Sequence, residues 1–322
     1  MHKHARYLHI NAHKCIRRKN MKKDLTKLID LNKADILSIL DLADSMKADF
    51  KAGKGTKPLE GKTLAMIFQK SSTRTRVSFE VGMYQLGGSA LFLSASDLQM
   101  GRGEPIEDTA RVLSRYVDGI MIRTFAQQDV EDLAKWSSIP VINGLTDYDH
   151  PCQILADLMT IREYKGKLDG LKLAFVGDGN NVCNSLVVGA LTCDMKVSVA
   201  VPEGHEPHED VLNFAKKYPN TFELVRDPAK VAAGADVLVT DVWASMGQEE
   251  EAKARQKVLA NYQINKTLMS HAKSDAIVLH CLPAHREEEI TTEIFEAHAA
   301  SIMDEAENRL HAQKAVMAML MG

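Results

Sequence analysis

Between residues 32 and 52, apolar side chains return every three or four positions. Ile36, Ile39, Leu40, Ala43 and Met46 form one stripe with Leu31 at its head. That period predicts an amphipathic helix. KAGKGTKPLEGK breaks it, and TLAMIF (63–68) is then a short, unbroken apolar run of the kind a buried strand needs. A helix follows from SSTRTR to the Gly87-Gly88 pair. Next come a strand at SALFLS, a helix over 108–116, a strand at GIMIRT, a helix over 130–136, a strand at IPVING and a helix over 150–164. A second cycle starts at Leu171, where LKLAFV runs into the turn GDGN and the helix NVCNSLVVGALTC. KVSVAVP is a strand, 209–218 a helix, DVLVTDVW and AIVLHCLP further strands, and 304–321 a last helix.

Strands alternate with helices over short links, which argues for parallel sheets wrapped by helices. The expected fold is α/β in two domains, each with its own parallel sheet, joined by interdomain helices. The first is expected over residues 21–151 and the second over 152–322, with the final helix returning to the first. No repeat of 20–50 residues is visible.

Composition narrows the function. The chain has 322 residues, is 45% hydrophobic and 26% charged, and carries a net charge of −3. This suits a protein with substantial cores and gives no reason to expect nucleic acid or membrane as a partner. An anionic ligand must be caught by local donors. The five cysteines are scattered and contain no C-x-x-C pair, so a reducing compartment, the cytoplasm, is expected. Residues 1–20 hold six Lys or Arg, four His and no acid. An extension or tag, a basic tail and a transit peptide are all open readings. The lack of serine there disfavours the last, and the segment is set aside as unrelated to the chemistry.

Ligands of such sheets bind beyond the carboxyl ends of the strands, and every polar cluster falls at one of these ends. SSTRTR (71–76) opens a helix, where free N–H groups and the positive end of the dipole favour anions. Ser72, Thr73 and Thr75 add hydroxyls, and Arg74 a fork suited to phosphate or carboxylate. The plainer alternative is an N-cap with solvated arginines. A P-loop does not fit, because Gly55 is misplaced relative to Gly61-Lys62-Thr63 and a strand follows. Arg123 ends GIMIRT and must find an anion, an acid or water. HPCQ (150–153) places Pro151 in a first helical turn, with His150 and Gln153 at the same end; a capping histidine is the alternative. Gly177-x-Gly179 looks like a dinucleotide turn, but Val182 replaces the third small residue, and Asn180 and Asn181 are neutral turn formers. Asp241 closes a strand ahead of Ser245, Met246 and Gly247, and Glu249–251 read as acids at a helix start. Cys281 in HCLPAHR is a structural thiol, a catalytic thiol or, with His150, Cys152, His280 and His285, a metal ligand; metal is the least expected of the three. Arg309 in the last helix pairs with Glu305 or Glu307 if it is a surface charge.

Taken in order, S-T-R-T-R, H-P-x-Q, D-x-W-x-S-M-G-Q-E-E-E and H-C-L-P resemble the carbamoyltransferase family, the last two its ornithine branch, from about Leu25 to the C-terminus. The resemblance implies carbamoyl transfer from carbamoyl phosphate to L-ornithine, with no cofactor and no metal, in a homotrimer or a multiple of trimers. It implies that Ser72, Thr73, Arg74, Thr75, Arg123, His150 and Gln153 bind carbamoyl phosphate, with Gln99 lent by a neighbouring subunit. Some members carry lysine near Gln99, where this chain reads QMGRGEP. Asn181, Asp241, Ser245 and Met246 match ornithine binders, Asp241 being expected at the α-ammonium. Cys281, Leu282 and Arg309 match residues that close the reacting centre. The catalytic set is expected to be Arg74, Arg123, His150, Cys281 and Arg309. Enzymes acting on putrescine or N-acetylornithine vary in the S-M-G segment, which is intact here. The competing readings are a carbamoyltransferase for another amine, a nicotinamide-dependent dehydrogenase built on Gly177–Gly179, and a catalytically silent binder of small anions.

Overall fold

The computed structural model describes residues 23–244 and 252–322. After a 3-10 turn, α1 (Lys33–Lys51) leads to β1 (Thr63–Phe68), α2 (Thr73–Gln85), β2 (Ser89–Ser94), α3 (Ile106–Tyr116), β3 (Gly119–Arg123), α4 (Gln127–Trp136), β4 (Val141–Leu145) and α5 (Pro151–Lys165). The second half runs through β5 (Lys172–Val176), α6 (Asn181–Thr192), β6 (Lys196–Ala200), α7 (Glu209–Ala215), β7 (Phe222–Val225), α8 (Pro228–Ala232) and β8 (Val237–Thr240). It ends with α9 (Ala252–Leu259), α10 (Lys266–Met269), β9 (Ile277–His280), α11 (Thr292–Ala297) and α12 (Ala299–Met321).

Two wholly parallel sheets result, ordered β2-β1-β3-β4 and β7-β6-β5-β8-β9. The expected two-sheet α/β architecture is therefore present. Each order reverses direction once, between β1 and β3 and between β5 and β8. Chains leaving two neighbouring strands there turn to opposite faces and leave a crevice beyond their carboxyl ends. SSTRTR follows β1 and Arg123 ends β3, while Asn180-Asn181 follow β5 and Asp241 follows β8. The topology alone thus delivers four of the clusters to two crevices.

Local chemistry sets the helix starts. Asn32 caps α1 in a full capping box with Asp35. Ser72 caps α2 by accepting from the Thr75 N–H at 3.2 Å. Asn180 caps α6, accepting from Val182 and Cys183. One core is continuous through α1, α5, α6 and α12 and both sheets. In α12 the buried residues cover most of the surface rather than one stripe, because the helix packs against α5, α1 and α2 at once. It begins at Ala299, a turn or more before residue 304. The sequence-based expectation also lacked β7, a half-buried edge strand, and the short helices α8, α10 and α11.

Candidate active site

The crevices of the two sheets open into one cavity of about 930 Å³. Its wall includes Ser72, Thr73, Arg74, Thr75, Arg123 and His150 from the first half. Asn181, Asp241, Cys281, Leu282 and Arg309 complete it from the second. Gln153 lies behind this wall, against Arg309. Gln99 is exposed in a 3-10 turn after β2 and does not line the cavity. Ser245, Met246 and Glu249–251 lie outside the described residues.

The donors at the phosphate end are buried and concentrated. Arg123 is 7% exposed, and its Nη1 reaches Thr75 Oγ1 at 3.4 Å. Arg309 is also buried: its Nη1 donates to Gln153 Oε1 at 2.7 Å and its Nη2 to Thr75 Oγ1 at 3.4 Å. With the Gln313 amide turned to satisfy its neighbours, that oxygen takes the Nε and Nη2 of Arg309 as well. The surface role for Arg309 is therefore wrong: α12 is an interior helix, and Glu307 pairs instead with Lys51. A solvated end likewise does not describe Arg123. Of the SSTRTR arginines only Arg76 behaves as a surface charge, bonded to Glu80 at 3.0 Å and lying over Phe92.

Burial, then the neighbouring Arg309, pulls the Arg123 guanidinium down to about 10, still charged at neutral pH. His150 has the same neighbours. Burial first, then Arg309, Arg123 and Arg74, hold its imidazole well below the usual histidine range, so it is neutral. Its side chain does not cap α5, and its Nδ1, like the Nε of Arg123, is buried without a partner among the described residues. Buried polar atoms are rarely left unpaired unless something else completes them. At this end of the cavity the chain has gathered cationic and neutral donors around a space, while the two acids among the described lining residues are already engaged, Asp147 by Lys70 and Asp241 by Cys281 and Asn180: a setting for a multiply charged anion.

The opposite wall is acidic and sulfur-bearing. Asp241 Oδ1 accepts from Cys281 Sγ at 2.9 Å and from the Val242 N–H, and its Oδ2 accepts from Asn180 at 2.7 Å. Burial and then Asp241 push the Cys281 thiol well above its ordinary value, so it stays protonated. His280 Nδ1 accepts from the Leu282 N–H at 2.9 Å, which puts the ring proton on Nε2, 2.9 Å from Glu289 Oε1. Glu289 also holds the His285 N–H. These bonds pin the HCLP turn, where Leu282 sits at φ 58. Asn181 donates to the Thr146 carbonyl at 2.6 Å, joining the second crevice to the end of β4.

Two sets of possible metal donors exist among the described residues, Asp241, His280 and Cys281, and His285, Glu288 and Glu289. In the first, both ring nitrogens of His280 and the Cys281 thiol already have protein partners. The five-residue assembly considered from sequence does not form, since Cys152 turns to the Asn143 carbonyl. The dinucleotide turn is also taken up internally: a Cβ at Gly179 would lie 2.4 Å from the His205 carbonyl oxygen, so this glycine admits the chain's own loop.

Two residues at the site, Lys70 and Asp157, escaped the sequence reading, and a third, Glu305, was read only as a surface partner of Arg309. Lys70 lines the cavity, buried beneath Phe125 and paired with Asp147. Asp157 and Glu305 lie just behind it, bonded through Gln153. Their spacing was a usable signal, because Gln153 and Asp157, and Glu305 and Arg309, each stand four apart on a largely apolar helix.

Comparison with known proteins agrees with this arrangement. The model of the carbamoyl-P binding domain of aspartate/ornithine carbamoyltransferases matches residues 23–163, and that of the Asp/Orn binding domain matches residues 169–320. An ornithine carbamoyltransferase of Carboxydothermus hydrogenoformans is 58% identical over 304 residues, 93% of this chain and 98% of its own. The solved ornithine carbamoyltransferase of Pyrococcus furiosus superposes with a TM-score of 0.89 at 55% identity, covering 93% of this chain and 97% of its own. The ornithine transcarbamoylase of Giardia lamblia gives a TM-score of 0.83 at 31% identity, over 94% and 99% of the two chains. With both halves matched and both crevices furnished as described, the chain belongs to the aspartate/ornithine carbamoyltransferase family.

Proposed function

We propose that this protein transfers the carbamoyl group of carbamoyl phosphate to the δ-amine of L-ornithine, releasing citrulline and phosphate. The observation that carries this reading is the single cavity in which Arg74, Arg123, Arg309 and neutral His150 face Asp241 and Cys281. Residues 21–151 take carbamoyl phosphate through Ser72, Thr73, Arg74, Thr75 and Arg123, and residues 152–322 take ornithine through Asn181, Asp241, Ser245 and Met246. Gln153 acts from behind Arg309, while Leu282 closes over the carbamoyl group.

Carbamoyl phosphate is a mixed anhydride of a carbamic and a phosphoric acid. The start of α2 and the arginines neutralise its phosphate. His150 and Arg309 donate to the carbonyl oxygen, whose charge grows as the tetrahedral intermediate forms, and a donor set fixed in advance is worth most there. The nucleophile must be a neutral amine. An alkylamine with pKa about 10.4 is neutral in only about one molecule in 2,500 at pH 7, a cost of roughly 4.6 kcal/mol. A cavity lined by the guanidinium groups of Arg74, Arg123 and Arg309 lowers that pKa and recovers part of the cost. Because its thiol is held protonated, Cys281 is no base. It orients the incoming nitrogen while Asp241 takes the α-ammonium beside Asn180. The nitrogen attacks the carbonyl carbon, the C–O bond to phosphate breaks, and the proton shed by nitrogen leaves on the phosphate.

An assay for citrulline against a panel of amines tests this. Product with ornithine alone is expected; product with putrescine or aspartate but not ornithine would reassign the substrate. Among the described residues no helix is long and apolar enough to cross a membrane, and a cytoplasmic setting suits the free cysteines.

A further inference from the structure

We propose that Asp157 and Glu305 share one negative charge behind the active site and, through Gln153, use it to position Arg309 for carbamoyl transfer. The inference deepens the function proposed above and rests on it. It starts from an imbalance. Arg309 is a buried cation whose hydrogen bonds go to neutral groups: Gln153, Thr75 and, with its amide turned, Gln313. A buried charge needs compensation. The carboxyls that supply it stand one amide away: Gln153 Nε2 donates to Asp157 Oδ1 at 2.8 Å and to Glu305 Oε1 at 2.7 Å.

Gln153 has one orientation in this setting. Turning its amide would press an oxygen against two carboxyls and an NH2 against a guanidinium. Its two N–H bonds therefore aim Oε1 at Arg309 Nη1, 2.7 Å away. Glu305 also accepts the His280 N–H at 2.8 Å, one residue before Cys281. The same pair thus ties α5, which carries Gln153, and α12, which carries Arg309, to the end of β9, just ahead of Cys281.

Two fully buried carboxylates this close cannot both ionise, so one proton stays between them. Burial raises Asp157 to about 7, and burial together with Asp157 raises Glu305 well above the carboxylate range, so the pair retains one proton. Above about pH 7 the pair carries a single negative charge against the single positive charge of Arg309. Neither Asp157 nor Glu305 lines the cavity, so both are positioning residues.

Two measurements test this. Infrared difference spectra at mildly alkaline pH should show the C=O stretch of a protonated buried carboxyl, lost in Glu305→Gln. It should be lost also in Asp157→Asn, where Glu305 becomes the lone acid and ionises. A band that is absent, or that survives both substitutions, overturns the shared charge. In kinetics each single variant keeps one negative charge, whereas Asp157→Asn/Glu305→Gln removes it. The double variant should lose kcat by about ten-fold or more beyond the product of the single losses, at unchanged affinity for inorganic phosphate. Losses that merely multiply, or that follow a falling Tm, overturn the positioning role. If the double variant does not fold, the infrared band of the unaltered protein and the single variants decides by itself. If the unaltered protein makes no citrulline, the proposed reaction fails, while the band still decides whether the charge is shared.

Discussion

Each arginine at the cavity is placed by a different device. Arg74 stands in the first turn of α2, Arg123 at the tip of β3, and Arg309 in the middle of α12. Of the three, Arg74 is the least buried and the least engaged by protein groups, so it has the most to give a ligand. Arg74→Ala should lower kcat/KM for carbamoyl phosphate by about 100-fold or more, as loss of a charge-stabilising donor does, and should weaken inorganic phosphate binding too. Steady-state kinetics and phosphate titration read both. Turnover preserved with weakened phosphate binding would make Arg74 a binder only, and no turnover in the unaltered protein would point to an anion-binding protein without catalysis. The residues proposed to bind the anion were nameable beforehand because hydroxyl and guanidinium groups cluster at a helix start, where anions are favoured. The places of Lys70, Asp157 and Glu305 at the site were not, since a charged residue on a helix or strand declares its burial only when its neighbours in space are known.

At the scale of elements, the regular strands and long helices were visible as periods of two kinds, and their starts as Asn32, Ser72 and Pro151. The short α8, α10 and α11 span too few residues to establish a period, and β7 is half-buried at a sheet edge, where alternation is weak. The role of α12 was hidden for another reason. Polar residues such as Glu305, Asn308, His311 and Lys314 lie along it, yet all are buried because three helices surround it. His311 exposes the cost. Burial pulls its imidazole down to about 4, partly opposed by Glu307. Its folded pKa lies below the unfolded value near 6.5, so between these the unfolded chain binds the extra proton. Its contribution is whole above about pH 6.5 and is lost as pH falls toward 4. Relative to His311→Gln, the protein should therefore lose up to about 3 kcal/mol over that window. The raised carboxyls of Asp149 and Asp157 act in the opposite sense, but they are common to both proteins and cancel in the difference. Denaturant midpoints at several pH values check it, and a constant difference would show that His311 is protonated without penalty.

For the whole molecule, one feature of the surface bears on assembly. Val77, Val81 and Tyr84 project from α2 at spacings of four and three, and Tyr84 is 80% exposed. Beside them β2 is an edge strand with Leu91 at 48% and Phe92 at 38% exposure. Apolar side chains gathered on one helix and the adjoining sheet edge mark an interaction surface. The exposed Gln99 lies just beyond that strand, away from its own cavity. The homotrimer that the family resemblance implies, in which each copy would lay this face on the next and lend it Gln99, would account for both facts. Leu91→Glu should then dissociate the assembly, read by sedimentation. Subunit mixing is more discriminating. Arg74→Ala and Gln99→Ala proteins, each weak alone, form some sites with Arg74 from one copy and Gln99 from its neighbour. Random reassembly at equal amounts leaves about one quarter of sites intact, so activity should rise toward about a quarter of the unaltered protein's. If the mixture is no more active than the mean of its parts, each cavity works without its neighbour and Gln99 has no part in the reaction.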